Sequence, residues 1–213
     1  VPPVHLVPAG DVKGIPAGLV AADEMVSAIR RFDRASDGPV HVEDFAQVAD
    51  VEPMFKYTES GASYDAIGAI VRQLVGQHGF DDFVGRLVAM IVVGNTDAHL
   101  KNWAFVYPDG RRPELAPVYD FHSLTVYSTY RYAPLALSLA GEKVPQSIRL
   151  DHFRRMAEHA GSDPERTAEV VRSTIHRLRD AWSGDLRAEA TTRFEALAVE
   201  FERRLASLPI AAS

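Results

Sequence analysis

Gly94-Asn95-Thr96-Asp97-Ala98-His99-Leu100-Lys101-Asn102 is the stretch on which the reading of this chain turns, and Leu115-Ala116-Pro117-Val118-Tyr119-Asp120 is its companion. An Asp and an Asn five apart, with a second Asp eighteen residues further on, is a spacing suited to phosphoryl transfer. One carboxylate accepts the proton of an attacking hydroxyl, while the Asn and the second carboxylate hold Mg²⁺ on nucleotide phosphates. Asp97 is the candidate base, and Asn102 and Asp120 are the candidate metal ligands. His99 can help to neutralise the transferring phosphate, Lys101 can reach a phosphate, and Tyr119 flanks the second Asp on the nucleotide side. Taken alone, Asp-x-x-x-x-Asn is a short pattern that turn and cap residues often produce. Its surroundings give it weight.

Upstream, Asp81 to Val93 reads as a helix with Phe83, Leu87, Met90, Ile91 and Val93 apolar, so it is expected to be buried and to end at the Asp97 loop. Downstream, Trp103 to Tyr107 reads as a strand, Pro108-Asp109-Gly110 as a turn, and Glu114 to Val118 as the returning strand. Such a hairpin brings Asp120 back beside Asn102. One amide oxygen and one carboxylate suffice for Mg²⁺ when phosphate oxygens and waters complete its shell.

Further out, His5-Leu6-Val7 and Val26-Ser27-Ala28-Ile29 read as strands around the loop Gly14-Ile15-Pro16-Ala17-Gly18, and Ser36-Asp37-Gly38-Pro39 as a turn. Glu43 to Val51 is expected to be a short helix with Phe45 and Val48 inward, and 52–64 a polar loop. Ile67, Ile70, Val71 and Leu74 repeat at helical spacing. Helices are expected over Leu150 to His159, from the Asp163-Pro164 cap to Gly184, and around Phe194, Leu197, Phe201 and Leu205 up to Pro209. The expected fold class is mainly α with a small catalytic β-hairpin, and neither an internal repeat nor a low-complexity segment is evident.

Composition excludes several chemistries. The 213 residues are 46% apolar and 24% charged, which is ordinary for a globular protein, and the formal net charge of −6 disfavours direct nucleic-acid binding by the chain as a whole. There is no cysteine, hence no disulfide, thiolate metal site or Cys nucleophile. The eight histidines form no H-E-x-x-H pair, and no G-x-S-x-G elbow, Walker A sequence or Gly-rich loop is present. None of Lys13, Lys56, Lys101 and Lys143 ends an apolar strand as a nucleotide lysine would. No apolar run reaches membrane-spanning length and no secretory signal opens the chain, so a cytoplasmic location is expected. The opening Val-Pro-Pro suggests a fragment or processed product.

Taken in order, these motifs closely resemble the HipA family of toxin Ser/Thr kinases. Asn95 to Asn102 and Leu115 to Asp120 match its catalytic segments, and Arg31-Phe32-Asp33-Arg34 looks like its E-R-F-D-R hinge. Glu43-Asp44-Phe45-Ala46-Gln47 with Lys56-Tyr57 matches the segment after that hinge. The resemblance implies the C-terminal lobe of a protein-kinase-like α+β fold, with residues 1–34 a remnant of N-lobe strands and hinge and 35–213 the helical C-lobe. It implies ATP and Mg²⁺ as cofactors, with Arg31 and Phe32 beside adenine. It further implies an aminoacyl-tRNA synthetase as protein substrate, arrest of translation and growth, a HipB-like DNA-binding antitoxin as partner, and contact with DNA only through that antitoxin. Arg30 stands where the hinge usually has Glu, and the family's nucleotide lysine and phosphate loop lie outside this chain, so these 213 residues alone are expected to be inactive. Two other readings keep the same motifs: a small-molecule phosphotransferase of kinase-like fold, and an inactive pseudokinase-like module that binds a partner.

Overall fold

The computed structural model describes residues 2–16, 18–36, 38–57 and 61–212. Two strands, β1 (Val4–Pro8) and β2 (Met25–Ile29), form an antiparallel hairpin in which Leu6 faces Ser27. Two-residue strands β3 (Arg34–Ala35) and β4 (Gly38–Pro39) pair next. The expected turn between them passes through Asp37, and the first loop through Ala17; both residues lie outside the described ones, as do 58–60 of the expected loop 52–64.

Strand β5 (His41–Asp44) leads into the short helix α1 (Phe45–Val48), followed by α2 (Tyr64–Leu74) and α3 (Gln77–Val93). Strands β6 (Ala104–Tyr107) and β7 (Glu114–Leu115) come next, and the chain ends in α4 (Leu150–His159), α5 (Pro164–Trp182), α6 (Asp185–Arg193) and α7 (Glu195–Ser207).

The expected hairpin exists as β6 and β7, but it is part of a three-stranded antiparallel sheet in the order β5-β6-β7. Glu43 and Asp44, expected to be helical, belong to β5. The helix begins only at Phe45 because Asp44 caps it: Asp44 Oδ1 accepts from Gln47 N at 2.9 Å, and Gln47 Oε1 accepts from Asp44 N at 2.9 Å. The returning strand is shorter than expected, since Pro117 removes a ladder donor. Helix α6 was not expected. Ala190 is its one buried residue among those described, so it carries no apolar stripe for a sequence reading to detect.

The period of two gives this small sheet two apolar faces. Phe105 points into the main core and stacks on Phe45, ring centroids 4.7 Å apart. Ala104 and Val106 point the other way, with Ala116, and pack under Phe32, Val40, Val42 and Tyr119.

Helix α3 is the axis of the main core. Phe80, Phe83, Val84, Leu87, Val88, Met90, Ile91 and Val92 are all buried, against side chains of α2, α4, α5 and α7. Burial of each large apolar side chain contributes roughly 1.5–3 kcal/mol, so the position of α3 is strongly determined. Its C-terminal end is equally well defined. Gly94 takes the left-handed conformation at φ +87°, and Gly94 N and Asn95 N both donate to Met90 O. The next two carbonyls are capped by a side chain from far along the chain: Arg204 of α7, 1% exposed, donates from Nη2 to Ile91 O at 2.5 Å and from Nε to Val92 O at 3.0 Å. Burial draws the Arg204 pKa down to about 10, which leaves it charged at neutral pH beside Glu200.

Candidate active site

The loop that follows α3 is held by its own polar residues. Asn95 is buried; its Oδ1 accepts from Asp97 N at 3.0 Å, an Asx turn that lifts Asp97 out of the core. Asn102 Nδ2 donates to Asp97 O at 2.8 Å, and His99 N to the same oxygen at 2.7 Å. Ala98 O accepts from two buried aromatics, Tyr64 Oη at 3.1 Å and Trp103 Nε1 at 3.3 Å. The Asp97 carboxylate therefore projects, half-buried, from a backbone tied down on both sides.

The segment carrying Asp120 is fastened to that loop at two points. Tyr119 Oη donates to Lys101 O at 2.7 Å, and Asn95 Nδ2 donates to Asp120 O at 3.4 Å. Asp120 adopts the left-handed conformation at φ +53°, one of three described non-glycine residues with positive φ. Strained backbone of this kind persists where surrounding contacts over-determine it, and Asp tolerates it better than most residues. The Asp120 carboxylate is exposed, with His122 Nδ1 3.5 Å away.

The remaining candidates divide. Phe32 reaches the site, its ring 5.7 Å from that of Tyr119 above the apolar floor of Ala104, Val106 and Ala116. Beside it opens a cleft of about 480 Å³ lined by Val40, Val106, Leu115 and Pro117. Arg31 is exposed and forks onto Asp33 at 2.8 and 2.5 Å, a pairing that holds the Asp33 carboxyl down at about 2. Lys101 Nζ lies 3.3 Å from Asp44 Oδ2, so its charge is already shared with a carboxylate. His99 is buried and packs edge-on against Tyr57, centroids 4.9 Å apart. Burial first, and then the Lys56 ammonium, lower its pKa, which favours neutral imidazole at pH 7. Its Nδ1 has no hydrogen-bond partner among the described residues.

Sequence reading missed three participants. Tyr57 Oη donates to Asp97 Oδ1 at 2.5 Å. Lys56 Nζ sits 5.0 Å from the Tyr57 ring centroid and acts electrostatically on His99. Asn95 links the two acidic segments. The resemblance marks Lys56-Tyr57 only as the segment after the hinge, and no spacing ties Tyr57 to Asp97 forty residues on; for Asn95 the Asx-turn preference was readable.

The donor set suits a hard divalent cation. The Asn102 Nδ2 bond leaves Oδ1 as the end of that amide available for ligation, and the Asp120 carboxylate is open to solvent. Both are oxygen donors, the kind Mg²⁺ takes when phosphates supply the rest of its shell. Among the described residues no group of three or more His, Asp or Glu is arranged as a closed metal cage.

Known proteins share both the sequence and the fold. The chain is 35% identical over 185 residues to "Putative kinase Y4dM" of Sinorhizobium fredii, covering 87% of this chain and 44% of that protein. It is 30% identical over 151 residues to a "Putative kinase" of Haemophilus influenzae, covering 66% of this chain and 43% of that one. It thus spans less than half the length of these curated relatives. Among solved structures, it superposes along its whole length on 54% of a chain from the Shewanella oneidensis MR-1 toxin–antitoxin complex of HipA, HipB and operator DNA, with a TM-score of 0.73 at 18% identity. It also resembles the Helicobacter pylori proinflammatory kinase CtkA, with a TM-score of 0.50 at 15% identity over 91% of this chain and 73% of that one. The fold is accordingly the mainly helical C-terminal lobe of a kinase-like α+β architecture. The HipA-like C-terminal domain family model matches residues 1–182, and the chain belongs to that family.

Proposed function

We propose that this chain is the catalytic C-lobe of a HipA-like Ser/Thr protein kinase that transfers the ATP γ-phosphoryl group to a protein hydroxyl. The observation that carries this reading is the joint anchoring of Asp97, Asn102 and Asp120. One buried helix delivers the loop, Asn102 bonds the Asp97 carbonyl, and Asn95 and Lys101 fasten the Asp120 segment to the same loop.

In this reading Asp97 accepts the proton from the attacking hydroxyl. Asn102 Oδ1 and the Asp120 carboxylate are the protein oxygens that hold Mg²⁺, which when bound screens the charge of the phosphates. The neutral His99 orients the loop and contributes no charge. Phe32 and Tyr119, over the apolar floor of the small sheet, form the adenine side, and Arg31 with Asp33 stiffens the hinge beside it. Residues 1–34 belong to a second lobe and 35–213 to the C-lobe, so an active cleft requires protein outside this chain. Two carboxylates beside a triphosphate repel it unless cations are supplied. The relation to the HipA–HipB complex supports a toxin–antitoxin role with a HipB-like antitoxin as partner, and the family resemblance supports an aminoacyl-tRNA synthetase as substrate. Both roles belong to a cytoplasmic protein; among the described residues no helix is long and apolar enough to cross a membrane.

The test is Asp97→Asn in the full-length protein. Removing the base lowers phosphoryl transfer by about 10²–10⁴ while Mg-ATP affinity, measured by calorimetry, persists. Near wild-type transfer by this variant would refute the assignment. Nucleotide binding without transfer by the wild-type protein would favour the partner-binding module.

A further inference from the structure

Three tyrosines donate hydrogen bonds to the Asp97 loop; Tyr119 holds its far end at Lys101 O, and the two nearest Asp97 are built differently. Tyr64 is fully buried, and its hydroxyl meets a backbone carbonyl, Ala98 O. It is a fixture of the core. Tyr57 is 38% exposed, follows the exposed Met54 and Phe55, and its hydroxyl meets the one carboxylate that the chemistry needs free. Its other contacts lie at the edge of the site: the T-shaped face of His99 and the Lys56 ammonium over its ring. A base and the hydroxyl it deprotonates must lie within hydrogen-bond reach, about 2.6–3.2 Å apart. The Tyr57 hydroxyl, 2.5 Å from Asp97 Oδ1, already fills that place. The bond occupies Asp97 Oδ1, so an acceptor hydroxyl drawn to that oxygen competes with the Tyr57 hydroxyl.

We propose that Tyr57 is an internal stand-in for the acceptor: its hydroxyl occupies the substrate-hydroxyl position on Asp97 and must swing out before a Ser or Thr hydroxyl can enter. The inference rests on Asp97 being the catalytic base. Tyr57 can leave because little apolar surface holds it, whereas Tyr64 cannot. The arrangement restrains transfer to water and to chance hydroxyls until a substrate with its own binding surface displaces the ring.

Tyr57→Phe keeps the ring and removes the competing hydroxyl. In the full-length protein with Mg-ATP, it is expected to raise phosphate release to water by about tenfold, and to raise transfer to an arrayed Ser/Thr peptide library by a similar factor through a lower KM for the peptide with kcat for peptide transfer little changed. That factor is what loss of one charge-assisted hydrogen bond allows. A fall in kcat would show that Tyr57 orients the base, and would overturn the proposal. Phosphate appearing on Tyr57 itself by mass spectrometry would overturn it as well, making Tyr57 an acceptor. A second measurement needs no activity. In the 213-residue chain, the difference in ultraviolet tyrosine titration between wild type and Tyr57→Phe should show one hydroxyl ionising near 12, since burial and then the Asp97 bond raise it, and Asp97→Asn should lower that value. A Tyr57 that ionises at the ordinary tyrosine value removes the contact and the proposal with it, while leaving Asp97 as base untouched. Inactivity of the wild-type full-length protein beside an intact titration signature would instead count against the kinase reading.

Discussion

The β1–β2 hairpin and the loop after α3 each turn through a positive-φ glycine, and they are held in opposite ways. In the hairpin, Val4, Leu6, Met25 and Ile29 are all about half exposed, and no side chain of either strand joins the two buried clusters among the described residues. Its geometry comes from backbone pairing alone. The Asp97 loop is gripped from beneath by Tyr64 and Trp103, from the side by Tyr119, and from the far end of the chain by Arg204, which closes the helix that leads into it. The difference teaches where the site is encoded. The positions of Asp97, Asn102 and Asp120 depend on contacts inside this chain, whereas the hairpin presents apolar faces whose packing the C-lobe does not determine.

The sharpest way to break this comparison uses one glycine from each region. Gly14 and Gly94 have nearly the same φ, +92° and +87°. Among the described residues, a methyl group at Gly14 meets nothing within 4 Å, whereas at Gly94 it would overlap the Thr125 hydroxyl. Gly14→Ala is expected to cost about 1–2 kcal/mol from backbone conformation alone. Gly94→Ala adds the overlap, for about 3 kcal/mol or more in total, read as a shift in urea midpoint. Equal shifts would mean that the loop is no more tightly held than the hairpin.

A second contrast pairs two arginines. Arg204→Met takes the side-chain donor from Val92 O, leaves Ile91 O with only the long bond from Gly94 N, and removes one cation from Glu200, at a cost of about 3 kcal/mol. Arg31→Met, at an exposed ion pair, should leave the unfolding midpoint where it was. Amide exchange would sharpen the result: the Arg204 variant should lose protection first at the end of α3 and in residues 94–102. Uniform loss of protection would show that Arg204 supports the fold in general and not the loop in particular.

The smallest effect is a pH dependence confined to the loop. Burial lowers the His99 pKa in the folded state below its unfolded value near 6.5. The unfolded chain therefore binds this proton more readily, so the contribution of neutral His99 is complete above about pH 6.5 and declines as pH falls through that value toward the folded one. The stability difference between wild type and His99→Gln should shrink on going from pH 7.5 to pH 5. A difference that is constant with pH would mean that His99 stays neutral, or becomes charged, equally in both states.

How much of this was readable from residues alone depends on the range of the interaction. The α3 period, the Asp163-Pro164 cap, the β6–β7 pairing and the motif from Asn95 to Asn102 were legible because neighbours a few residues apart decide them. The Asp44–Gln47 capping box is equally local, and it starts α1 at Phe45 where the expected helix began two residues earlier. Helix α6 lacked an apolar period to betray it. By itself, the sequence determined the residue types of the candidate site and their order, because the proposed proton acceptance and cation binding call for particular oxygens at particular spacings. Only the tertiary structure decided how they are arranged: β5 joining the hairpin from sixty residues upstream, Tyr57 on Asp97 across forty, and Arg204 on Ile91 across one hundred and thirteen. Contacts at such separations leave no periodic trace in the chain, since they arise only when a buried core brings distant segments to one place.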